Sequence, residues 1–284
     1  MMRRVGIVVK PREDAVELAC ELEGWLTDRG IEVVFDSTTA ATLGREDGGD
    51  EALPGTELVL VLGGDGTMIH AAKQLQGARV PLFGINVGNL GFLTEIGTDL
   101  EIFELLEQAL KGEAPVEARM ILQVALVRGG ETILEGLVLN DAVVAKSALA
   151  RIGRLRLAVN GHAVTEYRVD GLIISTPTGS TAYNLSAGGP IVYPTLRAIL
   201  VSPICPHTLS QRPLVLKHEA DLVVTLSEAN GDMYLTLDGQ SGLPMEEGDE
   251  VHIKESTSFA YLVRNPELDF FDILRAKLGW GLES

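Results

Sequence analysis

With 284 residues, 46% of them hydrophobic, the chain carries enough apolar side chains for a large core, and its length suits two domains. A formal net charge of −17 excludes a surface built to neutralise nucleic-acid phosphates or anionic lipid, because that affinity comes from Lys and Arg displacing counterions. A small anionic ligand would have to be held by backbone amides, a metal ion or a few local cations.

In chain order, short β-branched runs alternate with helical patterns, the signature of a parallel sheet with helices packed on it. Val5 to Val9 reads as a strand, and Pro11 suits the first turn of the helix that follows. Ala15, Leu18, Leu22, Trp25 and Leu26 fall on one face of that helix, which Gly30 ends. Ile31 to Phe35 is the next strand. Residues 37 to 56 hold the Gly-rich acidic stretch Gly44 to Glu51, without periodicity, and predict a mobile surface loop with solvated acids. Strands at Glu57 to Leu62 and Val80 to Ile85 flank a helix from Met68 to Leu75. Thr98 and Glu101 make a capping-box start to a helix ending near Gly112.

After about residue 115 the pattern changes to β-hairpins. Turn signals stand at Arg128-Gly129-Gly130-Glu131, Val159-Asn160-Gly161-His162 and Ala229-Asn230-Gly231-Asp232, flanked by alternating apolar residues. This half predicts an all-β, sandwich-like domain. A last helical pattern places Leu268, Phe271, Ile273, Leu274 and Leu278 on a stripe to be buried.

Gly63-Gly64-Asp65-Gly66-Thr67 lies between an apolar strand and a helix, where unpaired amides at the helix start carry partial positive charge and suit phosphate. The glycines let a diphosphate approach the backbone and permit positive φ. Asp65 is the informative residue. An acid in a phosphate cradle repels its ligand unless a metal intervenes or the acid takes a proton from an attacking hydroxyl, so Asp65 is the candidate general base.

The same five residues resemble the opening signature of NAD kinases, diacylglycerol-type lipid kinases and, more loosely, phosphofructokinases. The downstream motifs choose among them. Leu139-Asn140-Asp141 resembles the Asn-acid motif of NAD kinases, and the run from Asp170 to Tyr183 resembles their long signature almost residue for residue. The likeness continues through Leu185 to Pro190, Pro203 to His207, Arg212-Pro213 and Asp238-Gly239-Gln240.

The resemblance to the NAD kinase family implies a Rossmann-like α/β domain over residues 1–115, joined by the terminal helix of 266–284. It implies an all-β, sandwich-like NAD-binding domain over 116–265, with the active site in the cleft between the two. The implied reaction moves a phosphoryl group from ATP, or polyphosphate, to the adenosine 2′-hydroxyl of NAD, forming NADP. Donor phosphates would lie on Gly63, Gly64, Gly66 and Thr67, with Mg²⁺ carried mainly by those phosphates rather than by a protein metal site. Asn140 and Asp141 would grip the adenosine, a carboxylate accepting from two vicinal ribose hydroxyls. Asp65, Gly66, Thr178, Thr181, Ala182, Tyr183, Ser186 and Gln240 would line the NAD pocket, Asp170 would accept from an amide or amine of NAD, and Arg168 would meet the pyrophosphate or help distinguish oxidised from reduced cofactor. The family also implies a homo-oligomer, a dimer or tetramer.

Other residues read as structural. Cys20 and Cys205 lack metal-ligand spacing and are taken as reduced, and the five histidines, His207 included, are scattered. Phe92 reads as a buried aromatic, Trp25 and Trp280 as packing residues. The basic Met1 to Arg4 precedes an apolar stretch too short for a signal sequence, and no run approaches the roughly 20 apolar residues of a membrane helix, so a cytoplasmic protein is expected.

Overall fold

The computed structural model describes residues 2–46, 48–98, 101–147, 152–208 and 210–280. The chain divides into two compact units, one of residues 1–118 with 260–284, the other of residues 119–259. The first unit opens with β1 (Arg4–Val9), α1 (Glu13–Thr27), β2 (Glu32–Phe35), α2 (Ser37–Thr42), β3 (Leu58–Gly63), α3 (Asp65–Gln74), β4 (Pro81–Asn86) and α4 (Glu101–Lys111). There follow β5 (Val116–Arg128), β6 (Glu131–Val138), β7 (Asp141–Lys146), β8 (Gly153–Val159), β9 (His162–Val169) and β10 (Gly171–Ser175). The short α5 (Tyr183–Ser186) leads to β11 (Ala198–Ile204), β12 (Leu214–Lys217), β13 (Leu222–Glu228), β14 (Met233–Leu237), β15 (Ser241–Met245), β16 (Glu250–Val263) and α6 (Phe270–Leu278).

In the first unit the strands run parallel in the order β2-β1-β3-β4, with the last residues of β16, Tyr261 and Leu262, pairing parallel to β4. All six residues of β3 are buried, as a central parallel strand with both faces covered requires. Ala15, Ala19, Leu22 and Leu26 of α1 join that core at spacings of four, three and four residues. Because the chain steps from β1 to β2 on one side and resumes at β3 on the other, the carboxyl ends of β1 and β3 form a topological switch point, where open α/β sheets bind ligands.

The second unit stacks two antiparallel sheets. One carries β12-β11-β10-β7-β14-β15, the other β13, β8 and β9 with the first half of β16. Leu155, Leu157 and Val224 from one sheet meet Val144, Ile174 and Leu235 from the other in a single core. The sandwich-like expectation therefore holds, as do the hairpins at Gly129-Gly130 and Asn160-Gly161.

Several expectations are corrected. Residues 229–232 do not close a hairpin: β13 pairs with β8 and β16, whereas β14 pairs with β7 and β15, so this turn carries the chain from one sheet to the other. The stretch 37–56 keeps its acids Glu46, Asp50 and Glu51 exposed as expected, but it is not loop throughout, for it contains α2 and a 3₁₀ turn at Asp50–Gly55. Asp36 caps α2 by accepting from the Thr39 amide at 3.0 Å, and Asp50 accepts from the Ser37 hydroxyl at 2.6 Å. Helix α1 begins at Glu13 after an Arg12 N-cap, leaving Pro11 outside the first turn. Helix α6 buries Phe270, Ile273 and Leu274 and turns Phe271 outward, half exposed. Trp280 is also half exposed, and Phe92 is only partly buried. The capping box of Thr98 and Glu101 turns on residues 99 and 100 and on the Glu101 side chain, which lie outside what is described. Among the described residues no helix is long and apolar enough to cross a membrane.

Candidate active site

The Gly-rich turn stands at the end of β3, at the switch point. Gly64 is the N-cap of α3 and Asp65 its first residue, where a carboxylate complements the helix dipole. None of Gly63, Gly64 and Gly66 has positive φ, so the left-handed freedom that glycine permits is not used there. What Gly63 supplies is room: a Cβ on it would stand 2.9 Å from Cβ of Thr67 and 3.2 Å from Cβ of Lys10. A Cβ on Gly64 or Gly66 would meet nothing within 4 Å, so that face of the turn is open to a ligand.

Asp65 is oriented from outside its own helix. Its Oδ2 accepts from the Phe92 amide at 3.0 Å and its Oδ1 from the Leu93 amide at 2.9 Å, with the Thr94 hydroxyl at 3.4 Å. The segment that supplies these donors is anchored by Asn86 at the end of β4, whose Nδ2 donates to the Asn89 carbonyl and to Thr94 O and Oγ1, both at 3.3 Å. Gly91 is required for the approach, since its Cβ would overlap Asp65 Oδ1 and Thr94 Oγ1 and lie 3.0 Å from Asp65 Cγ. A carboxylate offers about four acceptor sites. Two amides and a long hydroxyl contact leave one open on Oδ2.

In the second unit, alternation along β7 does the positioning. Ala142 and Val144 point into the sandwich core, while Asp141, Val143 and Ala145 face a cavity of about 340 Å³. Asn140, Ala182, Tyr183, Thr236, Asp238 and Gly239 complete its lining. Asp141 is 5% exposed, and burial first, then the charge of Asp238, pushes its carboxyl up to about 7. The Asn140 segment is also gripped by β10 and the turn after it. The Thr176 amide donates to Asn140 O at 2.9 Å, the Thr176 hydroxyl to Leu139 O at 2.6 Å, and Gly179 lies so close that a Cβ would stand 2.6 Å from the Asn140 carbonyl carbon.

Of the expected NAD-pocket residues, the structure gathers Asn140, Asp141, Ala182 and Tyr183, the last half exposed. It does not bring the others to the cavity wall. Thr178 is buried with its Oγ1 unpartnered, and the Thr181 hydroxyl contacts the Thr178 carbonyl at 3.4 Å. Ser186, Gln240 and Arg168 are exposed, and Asp170 lies 3.4 Å from Lys146 Nζ at the far end of β7.

Two family models match the chain: the ATP-NAD kinase N-terminal domain over residues 5–114 and the ATP-NAD kinase C-terminal domain over residues 139–265. This chain belongs to the ATP-NAD kinase family. It is 45% identical over 284 residues to the NAD kinase of Trichlorobacter lovleyi and 44% identical over 282 residues to that of Geobacter metallireducens, covering 99% of each chain in both comparisons. Its fold matches the crystal structure of yeast NADH kinase complexed with NADH at a TM-score of 0.90 and 26% identity, covering all of this chain and 89% of that one. An NAD kinase from Archaeoglobus fulgidus in complex with ATP matches at a TM-score of 0.76 and 27% identity, over 96% and 99% of the two chains. As an ATP-NAD kinase the chain is a phosphotransferase.

Sequence reasoning missed Val143, Ala145, Thr236 and Asp238 in this ATP-NAD kinase. The alternation of β7 beyond Asp141 was the available signal for the first two, and the quoted Asp238-Gly239-Gln240 motif for the last. Lys10, exposed at the end of β1 with its amide donating to Leu62 O at 2.9 Å, is the cation whose stem borders the Gly63 turn.

Proposed function

We propose that this chain transfers the terminal phosphoryl group of ATP to the adenosine 2′-hydroxyl of NAD, yielding NADP and ADP. The observation that carries this reading is the Asp65 carboxylate, held by two backbone amides at the opening of α3, beside an open Gly-rich turn at the sheet's switch point. The 2′-oxygen forms the new bond to the terminal phosphorus, the bond to the bridging oxygen of ADP breaks, and Oδ2 of Asp65 receives the hydroxyl proton.

Residues 1–115 with 266–284 serve as the donor and catalytic domain, with Gly63, Gly64, Gly66 and Thr67 against the donor phosphates. Residues 116–265 serve as the NAD-binding domain. There Asn140 and Asp141 hold the adenosine ribose, with Thr178, Thr181, Ala182, Tyr183, Ser186 and Gln240 around the rest of NAD. Asp170 accepts from an amide of NAD, and Arg168 meets its pyrophosphate. A divalent cation would arrive on the donor's phosphates rather than on a dedicated protein site. Such an ion, Mg²⁺ foremost, supplies neutralisation of phosphate charge that a chain of net charge −17 does not.

The test is product formation from purified protein and Mg²⁺ with ATP or polyphosphate as donor and NAD, NADH, diacylglycerol or fructose 6-phosphate as acceptor. NADP is expected in the ATP and NAD arm. Product only with the lipid or the sugar would overturn the reading, and NAD binding without any turnover would leave a dinucleotide-binding module in its place.

A cytoplasmic homo-oligomer belongs to the same proposal. Tyr193, Leu196 and Val215 of the second unit are 37%, 55% and 56% exposed, apolar surface that an interface between copies would cover. Light scattering is expected to give the mass of a dimer or tetramer. A monomer mass across the working concentration range would remove this part.

A further inference from the structure

We propose that Asp238 is the positioning residue for NAD in this chain: its carboxylate gathers the amides of Leu139, Asn140 and Asp141 and so presets the two side chains that receive the adenosine ribose. The inference rests on the kinase reading above and extends it to a residue that need not touch the reacting atoms.

Asp238 follows β14 in the left-handed conformation, φ 50°, which a short acid tolerates in a tight turn. From there Oδ2 accepts from the Leu139 amide at 2.9 Å, and Oδ1 from the amides of Asn140 at 2.8 Å and Asp141 at 3.0 Å. The clasp is reciprocal, because the Asp238 amide donates back to the Asp141 carbonyl at 2.9 Å. Three donors converging on one carboxylate specify the path of the chain into β7. That path decides where the Asn140 and Asp141 side chains leave the backbone.

The second consequence is electrostatic. Asp141 and Asp238 line the same cavity, and among the described residues no Lys, Arg or His lines it. The groups facing Asp141 are Asp238 from the turn after β14, the uncharged Ser175 across from it on β10, and Tyr183 on α5. Asp238 therefore opposes ionisation of its neighbour while holding it in place. Ribose hydroxyls donate, so the ionised form of Asp141 is the stronger acceptor, and a carboxyl near 7 passes from about 10% ionised at pH 6 to about 90% at pH 8.

The experiment measures kcat, KM for NAD and calorimetric NAD affinity between pH 6 and 8.5 for the unaltered protein, Asp238→Asn and Asp141→Asn. In the unaltered protein, KM for NAD is expected to fall roughly five- to tenfold from pH 6 to pH 8. Asp238→Asn removes the charge and sets an amide donor among amide donors. Its kcat/KM at pH 8 is expected to fall at least about tenfold, carried by KM, with the pH midpoint displaced toward acid. A role confined to folding would leave that midpoint in place. Asp141→Asn is expected to abolish the pH dependence. Should Asp238→Asn fail to fold, NAD affinity of the unaltered protein that is equal at pH 6 and pH 8 overturns the proposal by itself, as does an unmoved midpoint in a folded Asp238→Asn. Calorimetric NAD binding decides the matter even if no NADP forms, an outcome that would instead sink the kinase reading.

Discussion

Asp65→Asn is expected to lower kcat for NADP formation by at least about a hundredfold while calorimetric NAD binding persists, the size typical of losing a positioned proton acceptor. The substitution keeps the size of the side chain and one carbonyl oxygen, which can still accept from the Leu93 amide. It removes the second acceptor, the one that faces the Phe92 amide and retains an open site. Because the exchange is isosteric and Asp65 is only partly buried, the thermal transition is expected to move by no more than a few degrees. A fully active Asn variant would take Asp65 out of the chemistry and leave it as the brace of the Gly91 to Thr94 segment.

The second large effect is expected at a residue that carries no chemistry. Gly91→Ala places a methyl group where Asp65 Oδ1 and Thr94 Oγ1 already stand, so either the carboxylate swings away or the segment that feeds it two amides retreats. Tight interiors do not absorb such overlaps without movement, and a displacement of about 1 Å at a reacting group can cost about a hundredfold in rate. A fall in kcat of at least about tenfold is expected, with the protein still folded by circular dichroism. The double variant Asp65→Asn with Gly91→Ala supplies the sharper reading. If Gly91 acts through Asp65, the double variant is no slower than Asp65→Asn alone, because the two losses are of one interaction. Multiplying effects would mean that Gly91 serves something else.

Much of the architecture was legible because it is written locally. The buried β3 strand, the four-three-four spacing on α1 and the hairpin turns at Gly129-Gly130 and Asn160-Gly161 each follow from periodicity or from a residue that tolerates a tight turn. The failures were equally physical. Asn230-Gly231 marks a sharp reversal, but whether the next strand pairs with the last one or joins another sheet depends on which edge is free, and β14 finds β7 and β15. Residues 37–56 show no long apolar stripe, yet α2 forms because Asp36 caps it and accepts from Gln74 of α3, while Asp50 ties down Ser37.

At the site the division falls between what a side chain is and where it is held. The amino-acid sequence alone determined the family, since the order of Gly-Gly-Asp-Gly-Thr, Asn-Asp and the long run from Asp170 carries its motifs by residue type and spacing, and it pointed to Asp65 as the proposed reacting group. Only the tertiary structure decided the orientation of those groups. The amides that hold Asp65 come from 27 and 28 residues further along the chain, and those that Asp238 gathers lie 97 to 99 residues away. Hydrogen bonds over such separations exist only after the strands have paired, and no local pattern encodes them.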